Sequence, residues 1–195
     1  MKFVDFAQIV RPECHGAPDF IIERAVRDSA IDFCKRTGVY IPEPEEVSVI
    51  KGINEYEVSI PSGTELNYIT DVFANNLKLQ PVSYPNLLEM VGDGATQGTP
   101  SFYSQRDNAA FFVAPIPAAT DTLRVLYSLK PSPTSSSIPD TVGRENREAI
   151  AQGAIYRLQM MPGQSFTNPS AASNNKMLFE REVGRALRQV KYGFS

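Results

Sequence analysis

Twice along this chain the spacing of apolar residues changes period, and that change limits the folds open to it. Residues 19–37 repeat Ile22, Val26, Ser29, Ala30 and Phe33 at intervals of three and four, while Glu23, Arg24, Arg27, Asp28 and Lys35 fall elsewhere. This is one buried stripe and one wet face, the signature of a helix. Pro18 suits a first-turn position, and Gly38 stops the run. A shorter helical pattern over residues 3–10 precedes it and ends at Pro12. From residue 39 to 130 the helical period disappears. Alternating β-branched and aromatic residues occur there in short runs bounded by Gly, Pro and Asn, which predicts strands at 46–50, 56–60, 68–74, 77–80, 110–114 and 123–129. Asn75-Asn76 is placed to turn one strand into the next, since Asn tolerates positive φ. Residues 84–91 predict one or two helical turns, and 92–98, with three glycines, a mobile loop.

The helical period returns after PSPTSSSIP at 131–139, which reads as a linker because its prolines cannot donate ladder bonds and it has little to bury. A third helix is expected over about 142–161, with Ile150, Ala154 and Leu158 on one stripe. Gly153 and Ala154 within it leave room for another backbone, and close packing would offset the ~1 kcal/mol that a mid-helix Gly costs against Ala. Pro162-Gly163 ends that helix. The last one carries Phe179, Val183, Ala186, Leu187 and Val190 at helical spacing. The expected fold class is α+β: a helical bundle core made by N-terminal and C-terminal helices, with an inserted antiparallel β-rich part. Its divisions are residues 1–38, 39–130 and 131–195, forming one composite domain.

Within 195 residues, 42% are apolar and 21% charged, ordinary for a soluble globular chain, and no apolar run approaches the ~20 residues of a membrane helix. No membrane partner is expected, and the N-terminus lacks the pattern of a signal peptide. The formal net charge of −3 argues against a DNA-coating protein. Arg181, Arg185, Arg188 and Lys191 nevertheless face one acid, Glu182, so the C-terminal helix is locally basic in an acidic chain.

Every catalytic inventory falls short. The one histidine, His15, adjoins Cys14 in the turn PECHGAP, where sequence neighbours rarely point at each other as a nucleophile and its base must. Cys14 and Cys34 read as half-buried free thiols. A structural zinc site wants about four Cys or His ligands, and the chain has three such residues. Glu43, Glu45 and Glu46, and Glu145 with Glu148, read as solvated charges. Gly92, Gly94 and Gly98 lack the Lys-Ser/Thr of a phosphate loop. Phe102, Tyr103, Phe111 and Phe112, with only Arg106 nearby, read as core packing rather than a stacking platform for single strands. Neither a catalytic residue, a metal ligand nor a cofactor is expected.

Eight segments in order then carry a resemblance: RDSAIDFCKRTGVY at 27–40, YEVSIPSG at 56–63, GTPSFY at 98–103, FVAPIP at 112–117, LRVLYSLKPSP at 123–133, IPD at 138–140, AIAQGAIYRLQMMPG at 149–163 and NPSAASNNKMLFEREVGRA at 168–186. Together they resemble the head-to-tail adaptor proteins of tailed bacteriophages, also called connector or head-completion proteins. The resemblance implies a structural virion protein without enzymatic activity, one subunit of a ring, commonly a dodecamer. The ring would join the portal vertex to the tail, with genomic DNA passing through its channel without specific binding. Portal protein, tail proteins and further copies of itself are the implied partners; its place is the virion neck, after assembly in the host cytoplasm. For the family's contact with the portal the matching positions here are Arg181, Arg185, Arg188, Lys191, Tyr192 and Phe194. Other readings of the residues are a tail-completion, collar or fibre-attachment protein, a small tail-associated hydrolase, and a carbohydrate- or peptide-binding module.

Overall fold

The computed structural model describes residues 1–92, 97–107 and 109–193. Its class is α+β, and it divides into two compact units: Met1–Tyr40 with Lys130–Ser195, and Ile41–Leu129.

The first unit is helical. A 3-10 turn, Phe3–Phe6, runs into α1, Ala7–Val10. Pro18 is extended, with φ −64° and ψ 145°, so the next helix begins one residue later than Pro18 itself, as α2, Asp19–Thr37. Gly38, at φ 67°, supplies the left-handed residue that closes α2, its N–H donating to the Cys34 carbonyl. The stripe Ile22, Val26, Ser29, Ala30 and Phe33 is buried as its spacing requires. Two further helices pack on it, α5, Arg147–Gln159, and α6, Pro169–Tyr192. Phe3, Phe6, Val10, Ile150, Leu158 and Phe179 complete the core.

Four expectations change here. The third helix is not continuous: α4, Asp140–Glu145, is separated from α5 by Asn146, at φ −112° and ψ 22°. The Asn146 backbone N–H and side-chain Nδ2 both donate to the Val142 carbonyl, the kind of local side-chain-to-backbone bond that makes Asn a poor residue for a helix interior. Segment 131–139 is not a loose linker. Phe3 N–H donates to the Ser136 carbonyl and Ile138 N–H to the Met1 carbonyl, while Ser135 and Ile138 are buried. The space at Gly153 is taken by side chains, the Ser29 hydroxyl and the Phe179 ring, rather than by a second backbone. Leu187 is 45% exposed, because Phe179, Val183 and Ala186 define the buried face and Leu187 lies about 100° round from Ala186.

The second unit is built mainly of strands, two of them eleven residues long and the rest short. Taken in chain order they are β1, Glu45–Val49; β2, Glu55–Glu57; β3, Thr64–Ala74; β4, Leu77–Lys78; β5, Gln80–Pro81; β6, Gln97–Gly98; β7, Phe102–Gln105; β8, Ala110–Ala114; β9, Ile116–Pro117; and β10, Asp121–Pro131. One sheet has the order β1-β10-β3-β4, a second β2-β8-β7-β5, and β6 pairs with β9. Asn75 and Asn76, at φ 50° and 64°, close the β3–β4 hairpin, with Ala74 opposite Leu77. Two short pairs, β5 with β7 and β6 with β9, are parallel, which the expected antiparallel pattern did not include. β6, β7 and β9 were not among the expected strands: β6 and β9 are two residues long and β7 four, too short for a period to register. β8 is buried along its whole length, and Phe111 and Phe112 pack on Tyr56 and Tyr84, ring centroids 5.9 and 5.0 Å apart. The helix α3, Tyr84–Val91, lies against β7 and β8 within this unit. Of the glycine-rich stretch 92–98, residues 93–96 lie outside the described residues.

Candidate functional site

α6 begins with a satisfied cap: the Asn168 side chain accepts from Ala171 N–H at 3.1 Å, and Pro169 takes the first helical position, where its missing donor is not needed. Ala172, Phe179, Val183 and Ala186 then bury one face. At ~100° per residue, Arg181, Arg185 and Arg188 recur at intervals of four and three on the opposite face. Their side chains stand out, with Arg181 68% and Arg185 66% exposed. Arg188 forms no ion pair with any described residue. Lys191 Nζ lies 5.3 Å from the Tyr192 ring, which is itself 73% exposed. Five of the six sequence-derived interface residues thus fall along one helix end, and Phe194 lies outside the described residues.

Both acids of α6 are engaged, and Glu182 offsets part of this charge. Glu182 accepts from Arg181 Nε at 3.2 Å and from Arg185 at 3.5 Å. Glu180 turns the other way, to a two-point pair with Arg36 of α2, and the Arg36 hydrogen bond holds its carboxyl below the ordinary carboxylate range. Behind it Arg157 donates to Asp32 at 2.8 Å and to the Gly153 carbonyl at 2.6 Å, and both arginines approach the Phe179 ring, at 5.9 and 5.6 Å from its centroid. This cluster locks the orientation of α6 on α2 and α5. Sequence reasoning missed it: only Asp32 and Arg36 share a local spacing, four residues apart, and Arg157 and Glu180 join them from distant segments.

Chemically the exposed end can offer planar guanidinium forks to carboxylates or phosphates, and one amphipathic ring. Among the described residues this end holds no Ser, Cys or His side chain. Elsewhere, Cys14 and His15 do not come together: Cys14 is buried, and burial with the neighbouring Glu13 charge pushes its thiol up to about 11, while His15 is exposed. Cys34 is buried too, its thiol pushed up to about 12, so neither cysteine is half-buried as expected. Among the described residues no three His, Cys, Asp or Glu side chains are grouped to hold a metal ion. Glu45 is not a solvated charge: it accepts from Ser59 N–H at 2.9 Å, Ser59 Oγ at 2.8 Å and the Tyr127 hydroxyl at 3.3 Å. Glu43, Glu46, Glu145 and Glu148 are exposed. Tyr103, Phe111 and Phe112 are buried, with Arg106 lying 5.1 Å over Phe112, so these rings pack the β-rich unit and offer no stacking surface. No described helix is long and apolar enough to cross a membrane.

A family model described as SU10 adaptor protein matches residues 1–193. No curated protein matches the chain.

Proposed function

The chain belongs to the SU10 adaptor protein family, whose members are structural adaptors of phage virions rather than enzymes, and on that premise we propose that it joins the portal vertex of the capsid to the tail. It does so as one subunit of a closed ring, a dodecamer by resemblance to head-to-tail adaptors, assembled in the host cytoplasm. The observation that carries this reading is the match across residues 1–193. The exposed end of α6, with Arg181, Arg185, Arg188, Lys191 and Tyr192, supplies a partner surface that uses shape and charge alone. An acidic balance of −3 suits a ring through which DNA passes without being gripped, since phosphates are repelled rather than neutralised.

The test is a phage lacking this protein. Filled heads without tails that leak their DNA, and recovery of tails when the purified chain is added back, are the expected outcome. Particles that carry tails but lack fibres would place the protein elsewhere in the tail and overturn the portal-to-tail assignment.

A further inference from the structure

The β-rich unit carries a slot of about 180 Å³ at one end of its first sheet. Three neighbouring strands make its floor, through Val49 of β1, Leu123 of β10 and Ala74 of β3, each no more than 2% exposed. Residues 98–100 and 117–119 make the walls, and Asp121 is the one charged side chain that lines it. We propose that this slot is a docking site for a partner protein: it seats one aliphatic side chain, and a Lys or Arg next to that residue in the partner's chain pairs with Asp121.

Size and lining decide the occupant. The volume lies below the ~300–1,000 Å³ of pockets that enclose a whole small ligand, and suits a single side chain. Val49, Ala74 and Leu123 offer only carbon at the floor, so an apolar anchor is favoured there. The walls are already in place. Gly98 and Pro117 are partners in the parallel pairing of β6 with β9, Ala118 N–H donates to the Gly98 carbonyl at 3.1 Å, and Gly52 N–H donates to the Pro117 carbonyl at 2.9 Å. Pro100 and Pro117 are buried, and their rings fix φ, so little freedom is lost when the slot fills. Thr99, Ala118 and Ala119 are exposed and form the lip over which a segment can enter. Charge then selects what flanks the anchor. Asp121, the register partner of Val49, is half-buried; its Oδ2 accepts from Asn75 Nδ2 at 2.7 Å and its Oδ1 from Thr122 N–H at 2.8 Å. Both donors are neutral, so they orient the carboxylate and leave its charge unmatched, and Asp121 forms no ion pair with any described residue. A cation complements it, whereas a phosphate backbone or an acidic segment is repelled. The slot shares no residue with the α6 end, and its occupancy is independent of the portal-to-tail role.

The experiment is a titration of the isotope-labelled full chain, read by its amide shifts, with three blocked dipeptides that stand in for the partner's segment: N-acetyl-Leu-Lys-amide, N-acetyl-Leu-Glu-amide and N-acetyl-Gly-Lys-amide. The first should shift the amides of Ala74, Thr99, Ala118 and Asp121 and saturate in the millimolar range. The second should bind about two- to fivefold more weakly, the worth of one part-exposed ion pair. The third, with no anchor, should not saturate. Asp121→Asn keeps an acceptor oxygen and should bind the two leucine dipeptides equally. Ala119→Leu, at the exposed lip, should block both, and reads the slot independently of the strand end that the first variant alters. Shifts confined to residues elsewhere, equal binding of the two leucine dipeptides by the parent chain, or an Asp121→Asn chain that still prefers lysine overturns the site. So do shifts of the same amides with protein concentration alone, since the slot would then hold a second copy, and shifts of them by short duplex DNA, which would give the slot to nucleic acid. Tail attachment is read separately, in the phage lacking this protein, so failure of one reading is told from failure of the other.

Discussion

Replacing Gly153 by Ala tests whether the helical unit is held by a contact that only glycine permits. In an isolated helix the change favours folding by ~1 kcal/mol. Here a Cβ on Gly153 would stand 2.1 Å from Ser29 Oγ and 2.7 and 2.8 Å from two carbons of the Phe179 ring. Both neighbours are fully buried, so neither can swing into solvent. The Ser29 hydroxyl also donates to the Ile150 carbonyl at 2.7 Å, and moving it away breaks that bond, worth roughly 0.5–1.5 kcal/mol. Forcing a methyl into a filled core costs roughly 1–3 kcal/mol more. Against the propensity gain, the net expectation is a loss of about 2 kcal/mol. Urea unfolding followed by helical circular dichroism reads it, because every α-helix except α3 lies in this unit; the midpoint should fall with the slope unchanged. Ser29→Ala alone should cost about 1 kcal/mol. The double variant should cost less than the sum of the two, by about 1 kcal/mol, because the hydroxyl and its hydrogen bond can be lost only once. A Gly153→Ala protein as stable as the parent, or strict additivity with Ser29→Ala, would refute the idea that hydroxyl and ring occupy this space.

Three further outcomes are expected. The Arg36 hydrogen bond lowers the Glu180 carboxyl from its ordinary value of 4.5, so its contribution to stability is complete above that value and lost as pH falls through the folded-state value; Glu180→Gln should flatten the acid side of the stability profile slightly, both side chains being more than a third exposed and so screened by water. Cys14 and Cys34, with thiols raised to about 11 and about 12 by burial, should resist an aromatic disulfide reagent at about pH 8 until urea is added, when both react. Asn76, at φ 64°, should accept Gly with little change, whereas Asn76→Val should lose roughly 1–2 kcal/mol, measured as a shift in the unfolding midpoint.

Local chemistry made much of this fold legible. The bounds of α2 follow from Pro18 and Gly38, the β3–β4 turn from a pair of residues that tolerate positive φ, and β8 from a run of aromatic and β-branched residues. The break at Asn146 was harder to see, because apolar residues keep helical spacing on both sides of it and the break is one residue wide. Of the partner surface, the positions of the basic residues on α6 were readable from their spacing. That their outward direction is fixed by Arg36, Arg157 and Phe179 was not.

By itself the sequence determined the order of elements, the helical ends and the β-rich middle, and the basic character of the last helix, because each depends on neighbours a few residues apart. Tertiary structure alone decided that segment 131–139 is pinned to the first residues, that Gly153 makes space for Ser29 and Phe179, and that Glu180 of α6 is engaged by Arg36. Those facts join residues as much as 144 positions apart, as Arg36 and Glu180 are, and a separation of that kind has no periodic trace in a chain.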